Sequence, residues 1–159
     1  MPMSAPPRTH ASSPLARRDW FAAIIRDLRV ELPDSLAGFT PIVGISLLKI
    51  AYANPRIHYE IGPDTARGHL ELALHFEDGP VSTAGYLRWF DREIVALKHE
   101  LGAPLEMERW TASWGRIYEL HPLPRFDATS ASEAAARLAR LIATLQPLVE
   151  AAAIPPERR

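Results

Sequence analysis

The run His69-Leu70-Glu71-Leu72-Ala73-Leu74-His75-Phe76-Glu77 alternates polar and apolar residues almost without fault. Successive side chains of a strand point to opposite faces, so Leu70, Leu72, Leu74 and Phe76 define a face that has to be buried. Arg56 to Ile61 alternates in the same way, with Ile57, Tyr59 and Ile61 inward. Between the two runs Gly62, Pro63, Asp64 and Gly68 supply turn chemistry, which predicts a β-hairpin. A chain built around such a hairpin needs a second layer to cover its apolar face.

The flanking sequence supplies that layer. Ser13 followed by Pro14 reads as a helix start, and Phe21, Ile24, Ile25, Leu28 and Leu32 then keep a helical period up to Pro33. Residues 33 to 45 read as loop, and Ser46 to Ala53 fits either a short helix or a strand. Ser82 or Thr83 is positioned to cap one long helix whose stripe is Leu87, Phe90, Ile94, Leu97 and Leu101, ended by Gly102. A second hairpin is expected from Leu105–Trp110 and Trp114–His121. Ser130 and Glu133 form a capping box ahead of a last helix through Leu138, Leu141, Leu145 and Leu148, which Pro147 should kink. The expected fold is α+β: an antiparallel sheet of about four strands from two hairpins, packed on helices in the order α-(α or β)-ββ-α-ββ-α.

At 159 residues the chain suits one domain. The expected limits are a disordered tail at 1–13, the domain at 14–152 and a flexible C-terminus at 153–159. Eighteen basic and nineteen acidic residues give a net charge of -1, which disfavours a dedicated nucleic-acid binder. The absence of cysteine removes disulfides, thiolate nucleophiles and Cys-ligated zinc. Neither a secretory signal nor a membrane span is recognisable, so the expectation is a cytoplasmic protein without membrane contact.

Two groups of side chains carry candidate chemistry. The polar face of the first hairpin gathers His58, Glu60, Glu71 and His75, with Arg56, His69 and Glu77 beside them; imidazole and carboxylate together suit zinc, manganese or iron. The competing reading is an exposed face of cross-strand ion pairs, with Glu60 opposite His69 and His58 opposite Glu71, and it is the one the residues favour. The second group is Trp110, Trp114, Arg116 and Tyr118, residue types common at binding hot spots. Inward packing of the tryptophans is the favoured alternative. A restriction-type nuclease would use Asp64 and Glu71 with a lysine two residues on, but that position is Ala73. No phosphate-binding glycine loop and no serine elbow is present.

The pattern His58-Tyr59-Glu60, His69 to Glu77, Glu108 to Trp110, Trp114, Arg116 and Glu119 resembles a group of uncharacterised bacterial proteins. More distantly, Trp89 to Glu119 resembles a domain of unknown function attached to restriction-nuclease-like proteins. That resemblance implies a neighbourhood of nucleic-acid defence and transfers no catalytic residue. The functional expectation is a non-enzymatic protein-interaction or self-association module, with no cofactor, binding through Trp110, Trp114, Arg116 and Tyr118. Its alternatives are a metal-binding protein or metal-dependent hydrolase holding a divalent ion on His58, Glu60, Glu71 and His75, and an accessory nucleic-acid binder of a defence system.

Overall fold

The computed structural model describes residues 12–102 and 104–158. The expected tail at 1–13 lies outside the described residues except for Ser12 and Ser13. Eleven elements follow in order: α1 (Arg17–Glu31), α2 (Asp34–Ala37), β1 (Thr40–Val43), β2 (Leu48–Ala51), β3 (Ile57–Asp64), β4 (His69–Phe76), α3 (Gly79–Asp91), α4 (Ile94–Leu101), β5 (Glu106–Arg109), β6 (Gly115–Pro122) and α5 (Ala128–Ala152). The strands form one antiparallel six-stranded sheet in the order β1-β2-β3-β4-β6-β5. The α+β class therefore holds, with two more strands than the sequence suggests.

The alternation of β3 and β4 sets the layers. Ile57, Tyr59, Ile61, Leu70, Leu72, Leu74 and Phe76 turn to one face and join Trp20, Phe21, Ile24 and Leu28 of α1 and Leu138, Leu141, Ile142 and Leu145 of α5 in a single core. Polar pins cross that core where an aromatic group carries a donor. Trp20 Nε1 donates to Ser130 Oγ at 2.9 Å, Tyr59 OH to Gln146 Oε1 at 3.1 Å, and Trp89 Nε1 to the Leu148 carbonyl at 2.9 Å. No helix among the described residues is long and apolar enough to cross a membrane.

Several boundaries depart from the sequence reading, each for a local reason. Ser13 and Pro14 do not start α1, because Pro14 forms a β-bridge with Asp127 and Leu15 N donates to the Phe126 carbonyl. Helix α1 begins at Arg17 after Ala16. The stretch expected to be loop contains α2 and β1, and the ambiguous Ser46 to Ala53 resolves as β2, paired on both sides. Helix α3 starts at Gly79 with Pro80 in its first turn, so Ser82 and Thr83 are buried helical residues and not caps. The expected long helix is two: the apolar period runs unbroken across the turn at Arg92 and Glu93, so periodicity alone does not reveal the break.

Asp127, not Ser130, caps α5, with Ser130 N donating to its carboxylate at 2.8 Å and Ser130 Oγ closing the box on Asp127 N. Pro147 removes one backbone donor but leaves the helix running to Ala152, held by burial of Leu145 and Gln146. At the other end of the core, residues 154–158 lie along α3. Glu157 Oε2 accepts from Val81 N and Ser82 N at 3.1 Å each, and Glu157 N donates to Asp78 Oδ2 at 3.0 Å. The tail thus satisfies backbone donors that a helix start leaves orphaned.

Candidate metal centre

The sheet face turned away from α1 and α5 carries the polar alternates of β3 and β4. Its register differs from the expected one: His58 lies opposite His75 and Glu60 opposite Ala73. The turn is tighter than the glycines and proline suggest, since β3 extends through Gly62 and Pro63 to Asp64, and Gly68 (φ 72°) closes onto the Asp64 carbonyl. Against the expected Glu60–His69 pairing the strands are slipped by four residues, an even number. An even slip keeps every side chain on its predicted face while changing its partner.

The result is not an exposed row of ion pairs. His58 is 1% and His75 2% accessible, and Glu60 and Glu71 are buried beside them. Glu77, the first residue past β4, continues the ladder on the same face as His75, its N–H bonded to the Arg56 carbonyl. One ligand-capable atom from each of His58, Glu60, His75 and Glu77 lies within 4.8 Å of the other three.

Hydrogen bonds fix how the two imidazoles face this cluster. His58 Nδ1 sits 3.0 Å from the Pro55 carbonyl, which can only accept, so the proton is on Nδ1. His58 Nε2 then points inward, 3.2 Å from Glu60 and 3.9 Å from Glu77. His75 is turned the other way: its Nε2–H donates to Glu71 Oε1 at 2.8 Å, and Nδ1 points inward, 3.4 Å from Glu77 and 3.9 Å from Glu60. Two ring nitrogens and two carboxylates therefore converge on one point, each ring pinned from behind by an acceptor.

Such a convergence of electron pairs demands positive charge. Burial alone would lower the His75 pKa, yet hydrogen bonds to Glu71 and Glu77 and the charges of Glu60 and Glu71 overcome it and raise the ring to about 9. Burial would push Glu60 up, but the His58 hydrogen bond and the charges of His75, His58 and Lys49 hold it below the usual carboxylate range. Glu77 is held down first by its hydrogen bond with His75, against burial and with help from His58 and Lys49. The same electrostatics that draw a proton to His75 attract a cation.

Of the metal ligands expected from sequence, His58, Glu60 and His75 meet. Glu71 stands one bond further out, and Glu77 takes the fourth place. Its place on the face of His75 in the alternating run was visible, but that it, and not Glu71, joins the inward-facing nitrogens was not. The aromatic group divides. Arg116 reaches across from β6 to Glu71 and also bonds Glu108, and its guanidinium is sandwiched 3.9 Å from the Trp110 ring and 3.8 Å from the Tyr118 ring. Trp110 in turn lies edge-on to His75 at 5.5 Å.

The expected inward packing of the tryptophans does not occur: Trp110 and Trp114 are each 48% exposed, at the ends of a turn whose Ser113 carbonyl accepts from Thr83 Oγ1 of α3 at 2.8 Å. Trp114 lines a cavity of about 310 Å³ together with Arg56, Arg158 and Glu77 of the cluster. On the opposite side a groove of about 550 Å³ runs from Glu60 and Glu71 over Gly62 toward Arg67, walled by Trp110, Arg116 and Leu120. Beside this geometry the comparisons with known proteins are silent: no family model, no curated protein and no solved structure matches the chain.

Proposed function

We propose that the protein binds a divalent transition-metal ion through His58 Nε2, His75 Nδ1, Glu60 and Glu77. The observation that carries this reading is the inward pointing of one nitrogen from each of two imidazoles at two carboxylates, all within 4.8 Å, so that a metal ion would take the place of the protons held between them. In a tetrahedral shell donor atoms about 2.0–2.2 Å from the ion lie about 3.3–3.6 Å from each other, so side-chain shifts of about an ångström complete it. Two imidazoles favour zinc, manganese or iron over magnesium and calcium, which take all-oxygen shells. Two carboxylates neutralise the ion's charge, which suits a buried site.

In a tetrahedral shell the four side chains close the site, the arrangement of structural zinc; in an octahedral one, positions remain for water. Glu60 borders both the ligand cluster and the groove over Gly62. That adjacency supports the metal-dependent hydrolase form of the reading, with a substrate oxygen entering along the groove.

The test is elemental analysis of the purified protein, followed by titration of the chelator-stripped protein with Zn²⁺ and Mn²⁺. About one equivalent bound, with a thermal midpoint that rises on loading, is the expected result. No stoichiometric ion and a midpoint indifferent to added metal overturn it. A second reading, a protein-interaction or self-association module, is supported by the half-exposed Trp110 and Trp114 that flank the β5–β6 turn. Sedimentation of the wild type against Trp114→Ala tests it, and a monomer in both removes self-association.

A further inference from the structure

We propose that Glu71 and Arg116 are positioning residues of the metal centre, setting which nitrogen of His75 faces the ion; this rests on the metal reading above. On binding a metal the His75 ring gives up the proton of the ligating nitrogen and keeps the other, and whichever nitrogen keeps its proton cannot ligate. Glu71 Oε1 accepts that proton's bond at Nε2, 2.8 Å away, which leaves Nδ1 for the metal. An outer carboxylate of this kind also makes the ring a stronger donor.

Glu71 alone could rotate, but its second oxygen is taken by Arg116 Nη1. Arg116 is itself immobilised. Its Nε and Nη2 bond Glu108 Oε1 at 2.9 and 2.5 Å, while Trp110 and Tyr118 hold the guanidinium plane between their rings. The relay therefore runs Glu108–Arg116–Glu71–His75 across β5, β6 and β4, with every link buried or half-buried. On this view the aromatic–arginine group at the second hairpin works inward, as a clamp on the first.

Cobalt(II) is the probe, because its visible absorption reports ligand geometry directly. Wild type, Glu71→Gln and Arg116→Met are stripped of metal and titrated with Co²⁺, with the metal-free thermal midpoint measured for each. The expected result is affinity about 10–100-fold weaker in Glu71→Gln, whose amide can donate to Nε2 and leave the proton on Nδ1. Arg116→Met should show a smaller loss, and the loaded spectrum should shift in both. If wild type binds Co²⁺ and both variants bind equally with unchanged spectra, the positioning role is overturned while the metal reading stands. Affinity that falls only in step with the metal-free midpoint, with the wild-type spectrum kept on loading, also overturns it. A wild type that binds no Co²⁺ overturns both.

Discussion

The imidazole rings of His58 and His75 lie face to face across the β3–β4 ladder, 5.7 Å between centroids and 8° from parallel. Each turns a different nitrogen toward the same two carboxylates, because the Pro55 carbonyl holds one ring and Glu71 the other.

The ligand set makes the first prediction. Glu77→Gln and His58→Ala should each weaken metal binding by more than the about 10–100-fold expected for an outer partner such as Glu71. Isothermal titration with Zn²⁺ ranks them. A ranking in which Glu71→Gln is the most damaging and Glu77→Gln is silent would exchange the roles of the two glutamates.

How much of this was legible in the sequence depends on the kind of information each residue carries. The inward set of β3 and β4 was readable because alternation fixes faces whatever the register. The partners were not, since they depend on where the turn closes, and Gly62 and Pro63 suggested an earlier turn than the one at Gly68. Glu77 and Glu71 look alike in the alternating run; only the strand's end at Phe76 separates them. Arg116 stood next to the tryptophans in sequence, while its link to Glu71 depends on β6 docking beside β4, a pairing that no local pattern announces.

A second prediction concerns pH and sits on the opposite face. Glu119 is fully buried, and Arg137 donates to both its oxygens at 2.6 and 2.7 Å, with His121 also on Oε1. Burial raises the carboxyl's pKa, but those bonds and charges more than compensate and hold it below 4.5. A lowered folded pKa means stabilisation complete above the unfolded value of 4.5 and lost as pH falls through the folded one. Denaturant midpoints of wild type should fall in acid along that limb. Arg137→Met leaves the carboxylate buried without its main partner, at about 3–5 kcal/mol near neutral pH, with the penalty shrinking in acid as Glu119 takes a proton. A penalty constant from pH 3 to 7 would show that the pair carries no linkage.

The docked tail yields a third prediction. Gly79 has φ 87°, and a Cβ there would run into the Glu157 carboxylate. Gly79→Ala should cost about 1–2 kcal/mol from backbone strain alone, with the collision on top. Glu157→Ala, which uncaps Val81 N and Ser82 N, should cost about 1 kcal/mol. The double variant should be less destabilised than the sum, because its collision partner is gone. Strict additivity in thermal unfolding would mean the tail does not sit on α3.

Ala153 offers a stabilising change. It is the one non-glycine residue with positive φ among the described residues, 51°, at the C-terminal cap of α5. Glycine adopts this conformation without the Cβ penalty, although it loses more chain entropy on folding. Ala153→Gly should gain about 0.5–1 kcal/mol, a rise in Tm of about 2 °C. An unchanged or lower Tm counts against the left-handed cap.

The strand order gives the two halves of the centre different histories during folding. All four proposed ligands come from one hairpin and the residue just past it, a stretch that pairs locally. Arg116 and Glu108 arrive only after the chain between Phe76 and Gly115 has doubled back and β6 has joined β4. Closing that longer loop costs more entropy than closing the Gly68 turn, so the second event belongs later on the folding path. An ion captured by the early hairpin would hold it together while the remainder assembles, making the metal an aid to reaching the fold as well as its cargo.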